Sequence, residues 1–291
     1  MSICRAILLA LCLLTSRSPA QNEQQYSREA DQLAGQLVSK LNEADKKGVL
    51  VVDLKGPEGR WLPFGEWLAD QFSSSLANLG QQIEIVDRAR LEEALSAQHL
   101  MPRDEFDLKN AIALSKAVGA NTLILASYGA AENGLGVTLV AFRVAEYGIP
   151  HSSSFMITMI RGKLDLTQDL SAHLGAPLDS LRPSDGVAWA GLGGVTIPTC
   201  IKCVPPPRMS VPDIDLVGFL RDKRGVGTLQ LRFIVTADGH TKEITVSKPL
   251  GYGFDEQYVK AAKDFEFKPA VDADNKLVPV HTHLDFTINT K

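Results

Sequence analysis

The chain has 291 residues, 45% of them hydrophobic and 22% charged, and a formal net charge of −4. That balance excludes a largely disordered chain. With no Lys/Arg-rich stretch, it carries neither the electrostatic footprint of a nucleic-acid binder nor a polybasic segment for anionic membrane surfaces.

The N-terminus reads as a targeting signal. Arg5 gives a short positive region, Ala6 to Thr15 an apolar core, and Ser18-Pro19-Ala20 place small residues at −3 and −1 before Gln21. This is the pattern of a secretory signal peptide over residues 1–20, cleaved after Ala20. An uncleaved anchor is the rival, but the apolar run is about half of the roughly 20 residues that a membrane span needs. Cys12 would suit a lipoprotein, yet bulky Leu11 precedes it where such signals usually have Gly or Ala. The expectation is an exported, periplasmic protein that meets a membrane only through a partner or an uncleaved N-terminus.

Residues 25–162 read as a three-layer α/β scaffold domain. Leu33, Leu37 and Leu41 give a helix over Ser27 to Ala44, and the Val-rich run Val49 to Leu54 a buried strand. Phe64, Leu68, Phe72 and Leu76 give a helix closed by Gly80. Ile83 to Val86 is a second strand, and Asp87 caps a helix over Arg88 to His99. Asp107 caps Leu108 to Val118, Asn121 to Tyr128 is a third strand, and Gly136 to Val144 and Ser152 to Ile160 are antiparallel edge strands. The runs GVLVVDL, FGEWLADQFSSSLANLG, IEIVDR, RLEEALSAQ and ANTLILASY resemble the N-terminal domain of TolB-like proteins, flagellar-outer-membrane lipoproteins and the curli-secretion channel family. That resemblance implies an envelope scaffold without catalysis.

Residues 163–208 form a Gly/Pro-rich linker, stiffened at Pro205 to Pro207, with one short helix within Asp165 to Leu174. It holds the CxxC of Cys200 and Cys203. Zinc would need two further ligands, and a redox role would need a helix start in a thioredoxin-like unit. Prolines on both sides favour an extended segment with a local disulfide.

Residues 209–291 read as ββαβ. Leu229, Leu231, Phe233 and Val235 alternate on one face, Asp238-Gly239 makes a hairpin turn, and Glu243 to Ser247 return. Asp255 caps a helix over Glu256 to Phe265, with Tyr258, Val259, Ala262 and Phe265 inward, and Val278 to Ile288 is the last strand. In order, Gly227, Asp238-Gly239, Gly251-Tyr252-Gly253-Phe254-Asp255, Ala261-Ala262 and Phe267-Lys268-Pro269-Ala270 resemble the TonB C-terminal domain family, and the match reaches back to Pro198. Met209 stands where members often carry an aromatic, and Val211 to Arg224 replace the basic helix before the first strand.

The fold expectation is therefore α+β overall, with an N-terminal α/β domain, a linker and a TonB-like module. The resemblance implies that a partner's extended segment adds to the last strand, along Val278, Val280, Thr282, Leu284, Phe286 and Ile288. The competing reading is that the linker, the first domain or a second copy covers this edge. The partner class is an envelope or outer-membrane protein, a TonB-dependent transporter among the candidates, with a homodimer as a further option. The function expected is periplasmic adaptor, with energy transducer for outer-membrane transport as the alternative.

No catalytic, cofactor or metal site is expected. The sequence has no P-loop, GxSxG or GxGxxG. Gly191-Leu192-Gly193-Gly194 precedes no helix pattern, His281 and His283 share a strand face without further ligands, and Asp53, Glu84 and Asp87 read as caps or solvated groups.

Overall fold

The structure is a computed structural model and describes residues 19–57, 60–79, 83–100, 108–144, 156–206 and 214–289. The signal-peptide core, Gly80, Asp107 and Met209 lie outside these residues.

The first sheet has the order β1 (Val49–Val51), β2 (Thr122–Ala131), β3 (Gly134–Arg143), β4 (Met156–Asp165). The β1–β2 pair is parallel and the others are antiparallel. Helices α1 (Pro19–Val38), α2 (Pro63–Leu79) and α5 (Gln168–Leu174) cover one face, and α3 (Arg88–Ala97) and α4 (Leu108–Ala117) the other. This explains why the Val-rich run has no polar alternation. Val49 and Val51 enter the core under α1 and α2, while Leu50 and Val52 enter the core under α3 and α4. A strand buried on both faces loses the period-two signal.

Two local readings change. The expected Ser27–Ala44 helix is displaced, and α1 stops at Val38. The following turn is locked by Asp45, whose carboxylate is 97% or more buried and takes both Nε and Nη2 of Arg143 at 2.7 Å. Arg143 therefore holds this carboxyl below its ordinary range. Ile83–Val86 makes only a bridge, Ile85 to Val49, rather than a strand. At the start of β1, Gly48 has φ +63° and lies so close to Gly119 that an added Cβ would sit 2.8 Å from the Gly119 carbonyl oxygen.

The second sheet has the order β5 (Ala188–Trp189), β12 (Val280–Asn289), β7 (Val226–Val235), β8 (Thr241–Lys248). Leu229, Leu231, Phe233 and Val235 point to one core with Phe254, Tyr258, Ala262 and Phe265 from α7 (Phe254–Ala262) and its exit. Between α7 and β12 lie β9 (Glu266–Lys268), β10 (Ala270–Val271) and β11 (Leu277–Val278), the last two forming a small hairpin. Gly253, at φ +80°, is the N-cap of α7. Asp255 instead binds back to the Leu250 and Gly251 N–H groups, at 2.9 and 3.0 Å, and fixes the entry loop. A further helix, α6 (Leu216–Lys223), precedes β7 and is capped by Asp215, which accepts the Gly218 N–H at 2.8 Å. The chain is α+β.

Between the two sheets, residues 166–206 are structured. Thr167 caps α5, a 3-10 turn covers Leu178–Leu181, and β6 (Thr199–Lys202) pairs with β9. Cys200 and Cys203 are disulfide-bonded beside that pair.

Candidate functional site

The last strand supplies the site. β12 runs antiparallel to β7 without a break, from Val280↔Val235 to Asn289↔Val226. Val280 and Ile288 are fully buried, and Leu284 and Phe286 are half-buried against the same core, with Phe286 4.8 Å from the Tyr258 ring. Residues His283, Asp285 and Thr287 are exposed on the opposite face.

The direction of the backbone groups follows from two hydrogen bonds on the other side of β12. The Ala188 N–H donates to the Pro279 carbonyl, at 3.2 Å, and the Ala190 N–H to the His281 carbonyl, at 3.0 Å. Carbonyls of residues 279 and 281 thus point away from β7. By strand alternation, the peptide groups of His283, Asp285 and Thr287 point the same way. β5 pairs in parallel with Val280 and His281 alone. Among the described residues, no strand pairs with the outer side of β12 from Thr282 to Ile288.

The expected edge residues therefore separate. Thr282, Leu284, Phe286 and Ile288 lie on the open stretch, Val280 lies under β5, and Val278 belongs to β11, paired with Ala270. Sequence reasoning missed the residues that close the end of this edge. Trp189 packs on the ring of His281, 4.9 Å between centroids, and Arg232 lies 5.6 Å over the Trp189 ring. The His281 Nε2 is 2.6 Å from Asp185 Oδ2. The Val187 N–H first, and His281 second, hold the Asp185 carboxyl below its ordinary range. A two-residue strand has no periodicity to read, so only the turn chemistry of Gly186 and Gly191 hinted at this segment.

After β5 the chain forms a strap across the first sheet. The Gly193 N–H donates to Ser127 Oγ at 3.1 Å, the Gly194 N–H to Thr138 Oγ1 at 3.0 Å, and Arg161 Nη1 to the Gly194 carbonyl at 3.0 Å. The approach is backbone to backbone, and a Cβ on Gly136 would lie 2.1 Å from the Gly193 carbonyl oxygen. The turn of the β10–β11 hairpin adds a second contact. Asp274 accepts Lys163 Nζ at 2.7 Å and the Glu132 N–H at 2.9 Å, and Lys276 Nζ reaches Glu132 at 2.5 Å. Lys163 holds the Asp274 carboxyl low, and Asp274 raises the Lys163 ammonium in turn.

Among the described residues, no group of three or more His, Cys, Asp or Glu side chains is placed to hold a metal. No helix of the described residues is long and apolar enough to cross a membrane. The arrangement offers a bordered edge with hydrogen-bonding peptide groups and an apolar shoulder at Leu284 and Phe286.

Comparison with solved structures gives similarity to the LpoB C-terminal domain from Salmonella enterica, at 17% identity and a TM-score of 0.40, covering 48% of this chain and 98% of that one. The LpoB C-terminal domain from Escherichia coli gives 16% identity and a TM-score of 0.39, again covering 48% of this chain and 98% of that one. The NMR structure of E. coli LpoB gives 20% identity and a TM-score of 0.33, covering 40% of this chain and 57% of that one. No curated protein matches the chain. Residues 220–289, from the middle of α6 through β12, match the family model described as the Gram-negative bacterial TonB protein C-terminal.

Proposed function

We propose that this chain is a periplasmic adaptor that binds an envelope protein by adding a strand of that partner to β12. One observation carries the reading: the peptide groups of His283, Asp285 and Thr287 face outward along a stretch with no neighbouring strand among the described residues. Unpaired edges of this kind template foreign strands. The shoulder of Leu284 and Phe286 would take alternate apolar side chains of the incoming segment. The agreement of residues 220–289 with the TonB C-terminal model supports a recognition module at this position.

His283→Pro tests it with little damage to the sheet. The His283 N–H faces the open side, so proline removes a partner-facing donor while leaving the β7 ladder intact. Wild type should capture a discrete protein from envelope extract, and His283→Pro should reduce that capture about tenfold, as expected from one lost ladder bond plus the steric bulk of the ring. Equal capture by both proteins would rule out β12 as the binding edge.

A second reading is favoured by the same family match: an energy transducer for TonB-dependent outer-membrane transport. It requires a membrane tether. Mass spectrometry of the mature N-terminus separates the two, because a chain beginning before Gln21 fits the transducer and one beginning at Gln21 fits the adaptor.

A further inference from the structure

We infer that β5 is a tethered pseudo-ligand, a segment of the chain itself that occupies one end of the partner site and must yield for full engagement. The inference rests on the strand-addition reading and adds its regulation. Three observations carry it. First, β5 binds β12 in the manner of an added strand, parallel and with ladder hydrogen bonds from Ala188 and Ala190. Second, it follows the side-chain alternation that a guest would need. Ala188 packs with the apolar core, and Trp189 sits on the opposite face against His281 and under Arg232. Third, it stops after two residues because the chain turns away, with the Leu192 N–H closing on the Trp189 carbonyl and Gly191 at φ +79°. The strap of Gly193 and Gly194 then anchors it to the first sheet.

The consequence is a site in two parts. The stretch from Thr282 to Ile288 is open, whereas Val280 and His281 are held by the plug. A short partner strand would bind the open part alone. A longer one would have to displace β5, against the high effective concentration that a tether gives a competitor. Because β5 ends where the open stretch begins, a parallel guest long enough to cover both parts would retrace the path of β5 and then continue it.

The test uses the full chain and the peptide Val-Ala-Trp-Ala-Thr-Val-Thr-Val-Thr-Val. Its first four residues copy Val187 to Ala190. The rest would set valines on the side of Leu284 and Phe286. The double variant Ala188→Pro/Ala190→Pro removes both plug donors, and fluorescence anisotropy should show about tenfold tighter peptide binding, from two ladder hydrogen bonds. Trp189→Ala keeps the backbone donors and guards against a proline that disturbs folding. It should tighten binding about threefold through loss of the Arg232–Trp189 contact. Hydrogen exchange at His283, Asp285 and Thr287 is read in parallel. If peptide protects those amides with equal affinity in wild type and variants, β5 is not a competitor and strand addition stands. If the peptide neither binds nor protects them in any of the proteins, strand addition at β12 fails and the plug with it.

Discussion

Gly136→Ala is expected to loosen the joint between the two sheets. The added Cβ would lie 2.1 Å from the Gly193 carbonyl oxygen and 2.9 Å from its carbonyl carbon. Both are backbone atoms, so no side-chain rotation relieves the contact and the strap must move. Movement weakens the Gly193–Ser127 and Gly194–Thr138 hydrogen bonds together. Overpacking of this kind costs about 1–3 kcal/mol. That exceeds the gain of about 0.4–1 kcal/mol that alanine brings by restricting the unfolded chain. Gly129→Ala is the internal control, since its Cβ would meet Gly193 Cα at 3.5 Å, an ordinary contact. Chemical denaturation should therefore show Gly136→Ala destabilised and Gly129→Ala near wild type. Small-angle scattering should show expansion of the first variant alone. Equal behaviour of the two would mean that the strap does not join the sheets.

The same joint should respond to acid. The Asp274 carboxyl is held low, chiefly by Lys163, so its contribution is present above the unfolded carboxyl pKa and is lost as pH falls through the folded value. The Lys163 ammonium is raised, so its contribution is present below the unfolded lysine value and is lost only as pH rises through the folded one. The contribution should thus be full between about pH 4 and about pH 10, weaken beyond either limit, and be gone only once the pH has passed below the folded carboxyl value or above the folded ammonium value. Scattering should move toward that of Gly136→Ala only as the pH falls well below the ordinary carboxyl value of about 4, whereas Asp274→Asn should expand at neutral pH and show no further acid step from this group.

How far the sequence foretold this architecture depended on the range of the interaction. Leu229 to Val235 were readable because one face of β7 is buried and the alternation is local. The Asp87 cap was readable for the same reason, and the Arg90 N–H does donate to its carboxylate at 2.8 Å. The strap was not. Its bonds join residues far apart in sequence, Gly193 to Ser127 and Gly194 to Thr138, and its glycines serve close approach rather than flexibility. The plug was invisible because Ala188 and Trp189 make too short a strand to carry a period. The edge strand was legible as a strand, but which of its residues stay open was decided by a segment some ninety residues earlier in the chain. Helix α6 was not read from the sequence, and its Gly218 has a local role: the missing side chain is what admits Asp215. A Cβ there would lie 2.2 Å from an Asp215 carboxylate oxygen.

That helix carries the other large effect. Phe219→Ala is expected to destabilise the second sheet by about 3–5 kcal/mol, the range for a fully buried phenylalanine. Phe219 has 0% exposure and packs edge-on to Phe254 and Tyr252, with ring centroids 5.0 and 5.7 Å away. Gly227 closes the pocket from β7, where a Cβ would lie 3.1 Å from the Phe219 ring. Truncation would therefore leave a cavity walled by aromatic rings that are themselves fixed by the α7 entry loop, and little collapse is available to fill it. Val217 is the comparison, on the same helix but 76% exposed, and Val217→Ala should change stability by no more than about 0.5 kcal/mol. Because Phe219 belongs to the second core and not to either core of the first sheet, hydrogen exchange should show the loss of protection confined to residues 214–289. Protection lost equally in β2 and β3 would instead mean that the two sheets unfold as one unit through the strap, and that the joint is stronger than its hydrogen bonds suggest.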